Sequence, residues 1–173
     1  KELHFDDKLI PNREKKLIYA FLLKDLDKSY MKIYSPYDKD HKWVSSIPNS
    51  KPFGLNELPK KSKTLIITKG QKDRIIWKKY FTDVIALQHE SLNALPEDII
   101  WQLQDEYEDI WINCDADETG QKVMKSFEEY GFKPITVPDK LYNAQGIKDF
   151  SDMVKKHGLV LFEKYLKFKK LIQ

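Results

Sequence analysis

Two aspartates placed two residues apart are the sharpest chemical feature of this sequence: Asp115-Ala116-Asp117, followed by Glu118-Thr119-Gly120. They come directly after the apolar run IWINC, residues 110–114, and directly before a stretch with helical spacing. Carboxylates so placed can point at one hard divalent cation, which prefers carboxylate and water oxygens and commonly bridges to phosphate. The same residues equally suit a plainer task, capping the helix that opens near Glu118. A second acidic group, Lys148-Asp149-Phe150-Ser151-Asp152, precedes another helical stretch. Asp149 approaches the same place if the strand before it adjoins IWINC, and the plain alternative is again an N-cap, supplied by Ser151 or Asp152.

The elements that must position these groups follow from periodicity. Residues 65–68 (LIIT), 84–87 (VIAL), 110–114 and 134–137 are short apolar runs of buried-strand type. Between them lie helical periods over residues 71–81, from Pro96 to about residue 107, and over 118–130, the last ended by Gly131. Strands alternating with helices predict a parallel sheet covered on both faces, because each parallel pair needs a crossover. Ligands of such sheets collect at the carboxyl ends of the strands. Those ends are Lys69-Gly70, Gln88-His89-Glu90 and Asp115-Ala116-Asp117. Residues 151–170 read as two helices joined at Gly158. Upstream, the runs 17–23 and 30–34, split by the polar residues 24–29, predict a hairpin. The stretch 45–63, with Pro48 and Pro52, reads as a connector with a helical turn near 55–58.

Composition bounds the function. The chain has 173 residues, 41% hydrophobic and 33% charged, enough for one core and a small appended lobe. Thirty Lys and Arg against 27 Asp and Glu leave a net charge of +3, too little for bulk charge alone to mark a nucleic-acid binder. The single cysteine, Cys114, excludes an intramolecular disulfide framework and a cysteine-rich zinc module, and suits a reducing compartment. No run approaches the roughly 20 apolar residues of a membrane span, and the first residues lack the apolar core of a signal peptide. A soluble cytoplasmic protein with no membrane partner is expected. The chain starts at Lys1 rather than Met, as a piece excised from a longer chain would. His41, His89 and His157 lack the spacing and cysteine partners of a zinc site. Trp77, Trp101 and Trp111 sit in helical or strand periods, where core packing is expected.

In this order of strands, with Gly70 and Asp73 after the first, Asp115-Ala116-Asp117-Glu118-Thr119-Gly120 after the third, and Lys148-Asp149-Phe150-Ser151-Asp152 further on, the sequence resembles the Toprim domain of bacterial primases and phage primase-helicases. Toprim domains also occur in topoisomerases and some nucleases. The resemblance covers about residues 63–158. Tyr34-Ser35-Pro36 and Lys42-Trp43 resemble, more weakly, the β-rich lobe that precedes Toprim in phage primases. The fold implied is α/β: a central parallel sheet flanked by helices, preceded by a small β-rich lobe (residues 1–60), with Toprim at 61–158 and a C-terminal helix at 159–173.

The resemblance further implies a catalytic core synthesising RNA primers on single-stranded DNA from nucleoside triphosphates, with Mg²⁺ or Mn²⁺ as cofactor. A replicative helicase, in the same chain or in trans, is the implied partner. Asp115 and Asp117 would hold metal with Asp149 and Asp152, and the catalytic set would be Asp115, Asp117 and Asp149, to which the strand-end position of Glu90 adds a fourth candidate. Lys69, Gly70, Lys72, Gly120 and Lys148 would contact nucleotide or DNA. One departure stands out: the family places a Glu immediately before the glycine of its first motif, and this chain has Lys69. A lysine cannot ligate Mg²⁺, although it can hold a phosphate as a point charge. Glu90 is either a replacement carboxylate or a solvated loop residue. Two other functions share the resemblance: a catalytically degenerate Toprim module that binds nucleic acid or replication partners, and a Toprim nuclease. Lys60, Lys61, Lys63, Lys69 and Lys72 either track a phosphate backbone or form an ordinary solvated surface.

Overall fold

The computed structural model describes residues 18–25, 28–59, 63–91 and 93–173. The chain divides after Pro48 into two compact units. The first holds an antiparallel sheet of β1 (Tyr19–Asp25), β2 (Lys28–Tyr34) and β3 (Trp43–Ser45), in the order β1-β2-β3. The predicted hairpin is present, but its ladder runs out to the pair Asp25↔Lys28, so most of the expected turn is strand. Alternation puts Tyr19, Tyr34 and Trp43 side by side on one face, with Tyr34 and Trp43 stacked at 4.3 Å between ring centroids. The start of the expected run at Leu17 lies outside the described residues.

The second unit is a four-stranded, wholly parallel sheet in the order β5-β4-β6-β7. Its strands are β4 (Thr64–Thr68), β5 (Val84–Ala86), β6 (Asp109–Asn113) and β7 (Lys133–Pro134). Helices α1 (Gln71–Trp77), α2 (Glu97–Glu106) and α3 (Glu118–Glu128) make the crossovers. Helices α4 (Asp139–Gln145), α5 (Phe150–His157) and α6 (Leu159–Phe168) follow. Among the described residues no helix is long and apolar enough to cross a membrane.

Side-chain alternation along β4 explains why the sheet is covered on both faces. Leu65 and Ile67 enter one core with Ile85, Leu103, Ile112, Val123 and Phe127. Ile66, between them, enters the other with Trp77, Val84, Ile135, Phe150 and Phe162. Trp77 meets Phe150 and Phe162 edge-on at 5.3 and 5.1 Å, so α6 belongs to the same core as α1 and α5.

Several expectations need correction. Trp101 is 57% exposed rather than core: α2 buries Ile100 and Leu103, and a residue one step along a helix faces about 100° away. Helix α1 ends at Trp77, not 81; Lys79 and Tyr80 donate to carbonyls three residues back, which tightens the last turn. The fourth strand pairs only through Lys133 and Pro134, at the sheet's edge, where a proline without an N–H is tolerated. Pro96 is the N-cap of α2 and not its first residue. Helix α4 and strand β3 had no predicted counterpart.

Candidate active site

The parallel strands β4, β5 and β6 deliver their following residues to one end of the sheet. The Thr68 hydroxyl lies within hydrogen-bond distance of the carbonyls of Gly70 and Ile85, and Lys69 N–H donates to Asn113 O at 2.9 Å, which fixes the turn out of β4. The buried Asn113 amide accepts from Trp77 Nε1 and donates to Ile135 O at 3.1 Å, anchoring the exit from β6. Ala116 N–H donates to Lys148 O at 2.8 Å, which draws the segment before α5, and with it Asp149, to the same place. Gly120 lets α3 start against this exit: a Cβ there would collide with the carbonyl oxygen of Asp115 and lie 2.7 Å from its nitrogen.

Glu90, Asp115 and Asp117 present carboxylate oxygens within 4.8 Å of one another. Glu90 Oε1 also accepts the Asp115 N–H at 2.7 Å, so its place is defined, unlike that of a solvated loop residue. Burial raises the pKa of Glu90, partly offset by that N–H, with the Asp115 charge adding to the rise. Burial likewise raises the Asp115 carboxyl, against the pull of Lys69. Asp117 moves the other way: slight burial is outweighed by the Gly120 N–H and by Lys148, whose Nζ lies 3.1 Å from Oδ2.

Asp115 and Asp149 both accept hydrogen bonds from the ammonium of Lys69, the latter at Oδ2 and 2.7 Å. The Lys69 side chain is 16% exposed. Burial opposes its charge, but Asp73, Asp149 and Asp115 together hold its pKa above the ordinary lysine range. Asp73, 1% exposed, accepts from Ser151 N–H at 2.9 Å and Ser151 Oγ at 2.6 Å. Burial and the neighbouring Asp149 push its carboxyl up to about 6.

Of the two aspartates of the capping alternative, Asp117 caps a helix and Asp115 does not, and the later acidic group supplies a cap from a residue not expected to do so. Asp117 is the N-cap of α3 through Gly120 N–H, and Asp149 is the N-cap of α5 through Asp152 N–H at 2.6 Å. The α5 cap is therefore Asp149, not Ser151 or Asp152. In each residue the second carboxylate oxygen remains for Lys148 or Lys69. Asp152 stands apart from the converging acids: it is exposed on the first turn of α5 and lines a cavity of about 350 Å³ with Gln145, Lys155 and Lys156.

Among the basic candidates, Lys72 and Lys148 are exposed beside the site, whereas Lys69 turns inward onto the acids. Gly70 has extended backbone, φ −170°, with open space where a Cβ would be. Lys63 precedes β4, at the opposite end of the sheet, and pairs with Glu108 at 2.7 Å, so it shares no surface with Lys69. Lys60 and Lys61 lie outside the described residues. The residues that sequence alone did not connect are the pairs: nothing local in the chain announces Lys69 with Asp149, 80 residues away, or Glu90 with Asp115.

The donor set at Glu90, Asp115 and Asp117 is oxygen only and anionic, which fits a hard divalent cation such as Mg²⁺ or Mn²⁺. Between Asp115 and Asp149 the fit fails, because an ammonium already lies there.

No protein-family model matches this chain, and no curated protein matches it in sequence. Solved structures do. The catalytic domain of a DnaG primase bound to single-stranded DNA superposes with a TM-score of 0.59 at 17% identity, over 86% of this chain and 50% of that one. The zinc-binding and RNA polymerase domains of the Aquifex aeolicus primase give 0.57 at 20%, over 80% of this chain and 36% of that one. The primase fragment of the bacteriophage T7 primase-helicase gives 0.56 at 17%, over 83% and 65%. The architecture is thus a parallel α/β sheet flanked by helices, with a small antiparallel sheet ahead of it. More particularly, it is the fold of DnaG-type primase domains of bacteria and phage, in agreement with the Toprim resemblance. The chain spans half the length of the first of these neighbours.

Proposed function

We propose that this chain is part of the catalytic core of a DNA primase, making RNA primers on single-stranded DNA by nucleotidyl transfer that depends on Mg²⁺ or Mn²⁺. The observation that carries this reading is the convergence of Glu90, Asp115 and Asp117 at the carboxyl end of a parallel sheet, in a chain with a primase-domain fold. The three carboxylates would hold a divalent cation, which when bound neutralises charge on triphosphate oxygens. Glu90 sets the Asp115 backbone, and Gly120 admits it against α3. Asp149 orients Lys69 from its place at the head of α5, and Asp73 orients Ser151. Gly70 leaves the start of α1 open to a phosphate, and Lys72 and Lys148 supply exposed charge for template or triphosphate. Asp152 serves the wall of the neighbouring cavity. The reaction places the protein at a replication fork in the cytoplasm of a bacterium or an infected host, beside a helicase.

A second reading has an observation of its own. Lys69 occupies two of the acids, as it would in a module that binds nucleic acid without catalysis. Ribonucleotide incorporation on single-stranded DNA, measured with the full-length chain and with an Asp115→Asn, Asp117→Asn double variant, separates the two. Catalysis predicts synthesis that falls at least a hundredfold in the double variant. DNA binding with no synthesis by the parent supports the second reading.

A further inference from the structure

Cations are not shared evenly across this site. On one side the oxygens of Glu90, Asp115 and Asp117 lie within 4.8 Å of one another, and opposite ligands of a Mg²⁺ ion stand roughly 4 Å apart. On the other side Asp115 and Asp149, with side chains 19% and 6% exposed, close on the ammonium of Lys69. Asp73 adds a third negative charge to that side, buried, with no hydrogen-bond partner for its Oδ2 among the described residues. Five carboxylates therefore surround one inward lysine and one exposed lysine, Lys148.

We infer that Lys69 is a tethered cation that takes the place of a second divalent ion between Asp115 and Asp149, so that the site binds one divalent ion, held by Glu90, Asp115 and Asp117. The inference rests on the metal-dependent reading above and deepens it. An ammonium differs from a metal ion in what it supplies. It carries one charge, holds no water ligand whose proton could be lost, and cannot be removed by a chelator. Of its three N–H donors, two go to Asp115 and Asp149, and the third, with no partner among the described residues, can meet one oxygen of an anionic ligand. The departure of this sequence from the Toprim pattern thus changes the ion count of the site and not its charge balance alone.

Counting bound Mn²⁺ by electron paramagnetic resonance, on the parent, Lys69→Glu and Lys69→Gln, tests this without an activity assay. The expected result is one ion per chain in the parent and two in Lys69→Glu, the second accompanied by spin–spin broadening from an ion about 4 Å away. Lys69→Gln, similar in length and neutral, is read the same way and serves if the glutamate variant fails to fold, which far-UV circular dichroism in metal-free buffer reports. Two ions in the parent would overturn the inference while sparing the metal-dependent reading. So would a single ion in every folded variant. No bound ion in the parent or in either variant would overturn both.

Discussion

Glu90 Oε1 accepts the backbone N–H of Asp115 at 2.7 Å, joining the exit of β5 to the exit of β6 across 25 residues of chain. A side chain that orients the backbone of one clustered acid while its own oxygen lies in the same cluster couples the shape of the site to its charge.

This coupling separates two substitutions. Glu90→Gln keeps an acceptor for the Asp115 N–H and removes the charge, so Mn²⁺ affinity should fall at least tenfold with little change in melting temperature. Glu90→Ala removes both, and should also cost about 1–2 kcal/mol of stability by leaving a part-buried N–H unpaired. Calorimetric titration and thermal denaturation of the two variants check the split. Equal melting temperatures for both would show that the hydrogen bond contributes nothing.

Gly120 offers a steric test. A Cβ there meets the backbone of Asp115, not a flexible side-chain tip, so Gly120→Ala must displace either the start of α3 or the aspartate. A loss of roughly 1–3 kcal/mol, the usual cost of overpacking, is expected together with weakened Mn²⁺ binding. Alanine is otherwise the better helix former, so an unchanged or raised melting temperature would contradict the close approach.

Asp73 predicts a pH dependence. Its carboxyl titrates near 6 in the folded chain, above the ordinary aspartate value of 3.8. The folded state therefore binds more protons than the unfolded chain between these values, and the group's contribution to stability is complete below 3.8 and lost as pH rises through about 6. The stability of the parent relative to Asp73→Asn should be greatest near pH 4 and shrink toward pH 7. Denaturant unfolding of both proteins across that range measures it, and a difference independent of pH would show that Asp73 does not titrate there.

The sequence carried its sheet openly because β4, β5 and β6 are buried on both faces, which forces runs such as Leu65, Ile66 and Ile67 to be apolar throughout. Strand ends inherit their positions from those runs, so Lys69, Glu90 and Asp115 were visible as neighbours in topology. Their contacts were not, since a lysine reads as surface unless the acids it meets, at positions 115 and 149, are already known to lie beside it. Trp101 misled for the opposite reason: a large aromatic in a helical period reads as core, yet its phase on α2 turns it outward. Helix α4 starts after Pro138 and ends at Gly146, with φ +65°, and its seven residues bury none of their own, so it left no apolar period to find.

The most direct measurement is anomalous diffraction from crystals soaked in Mn²⁺. One peak is expected, bound by Glu90, Asp115 and Asp117, with the ammonium of Lys69 still between Asp115 and Asp149. No peak among these three carboxylates at saturating Mn²⁺ would contradict that expectation.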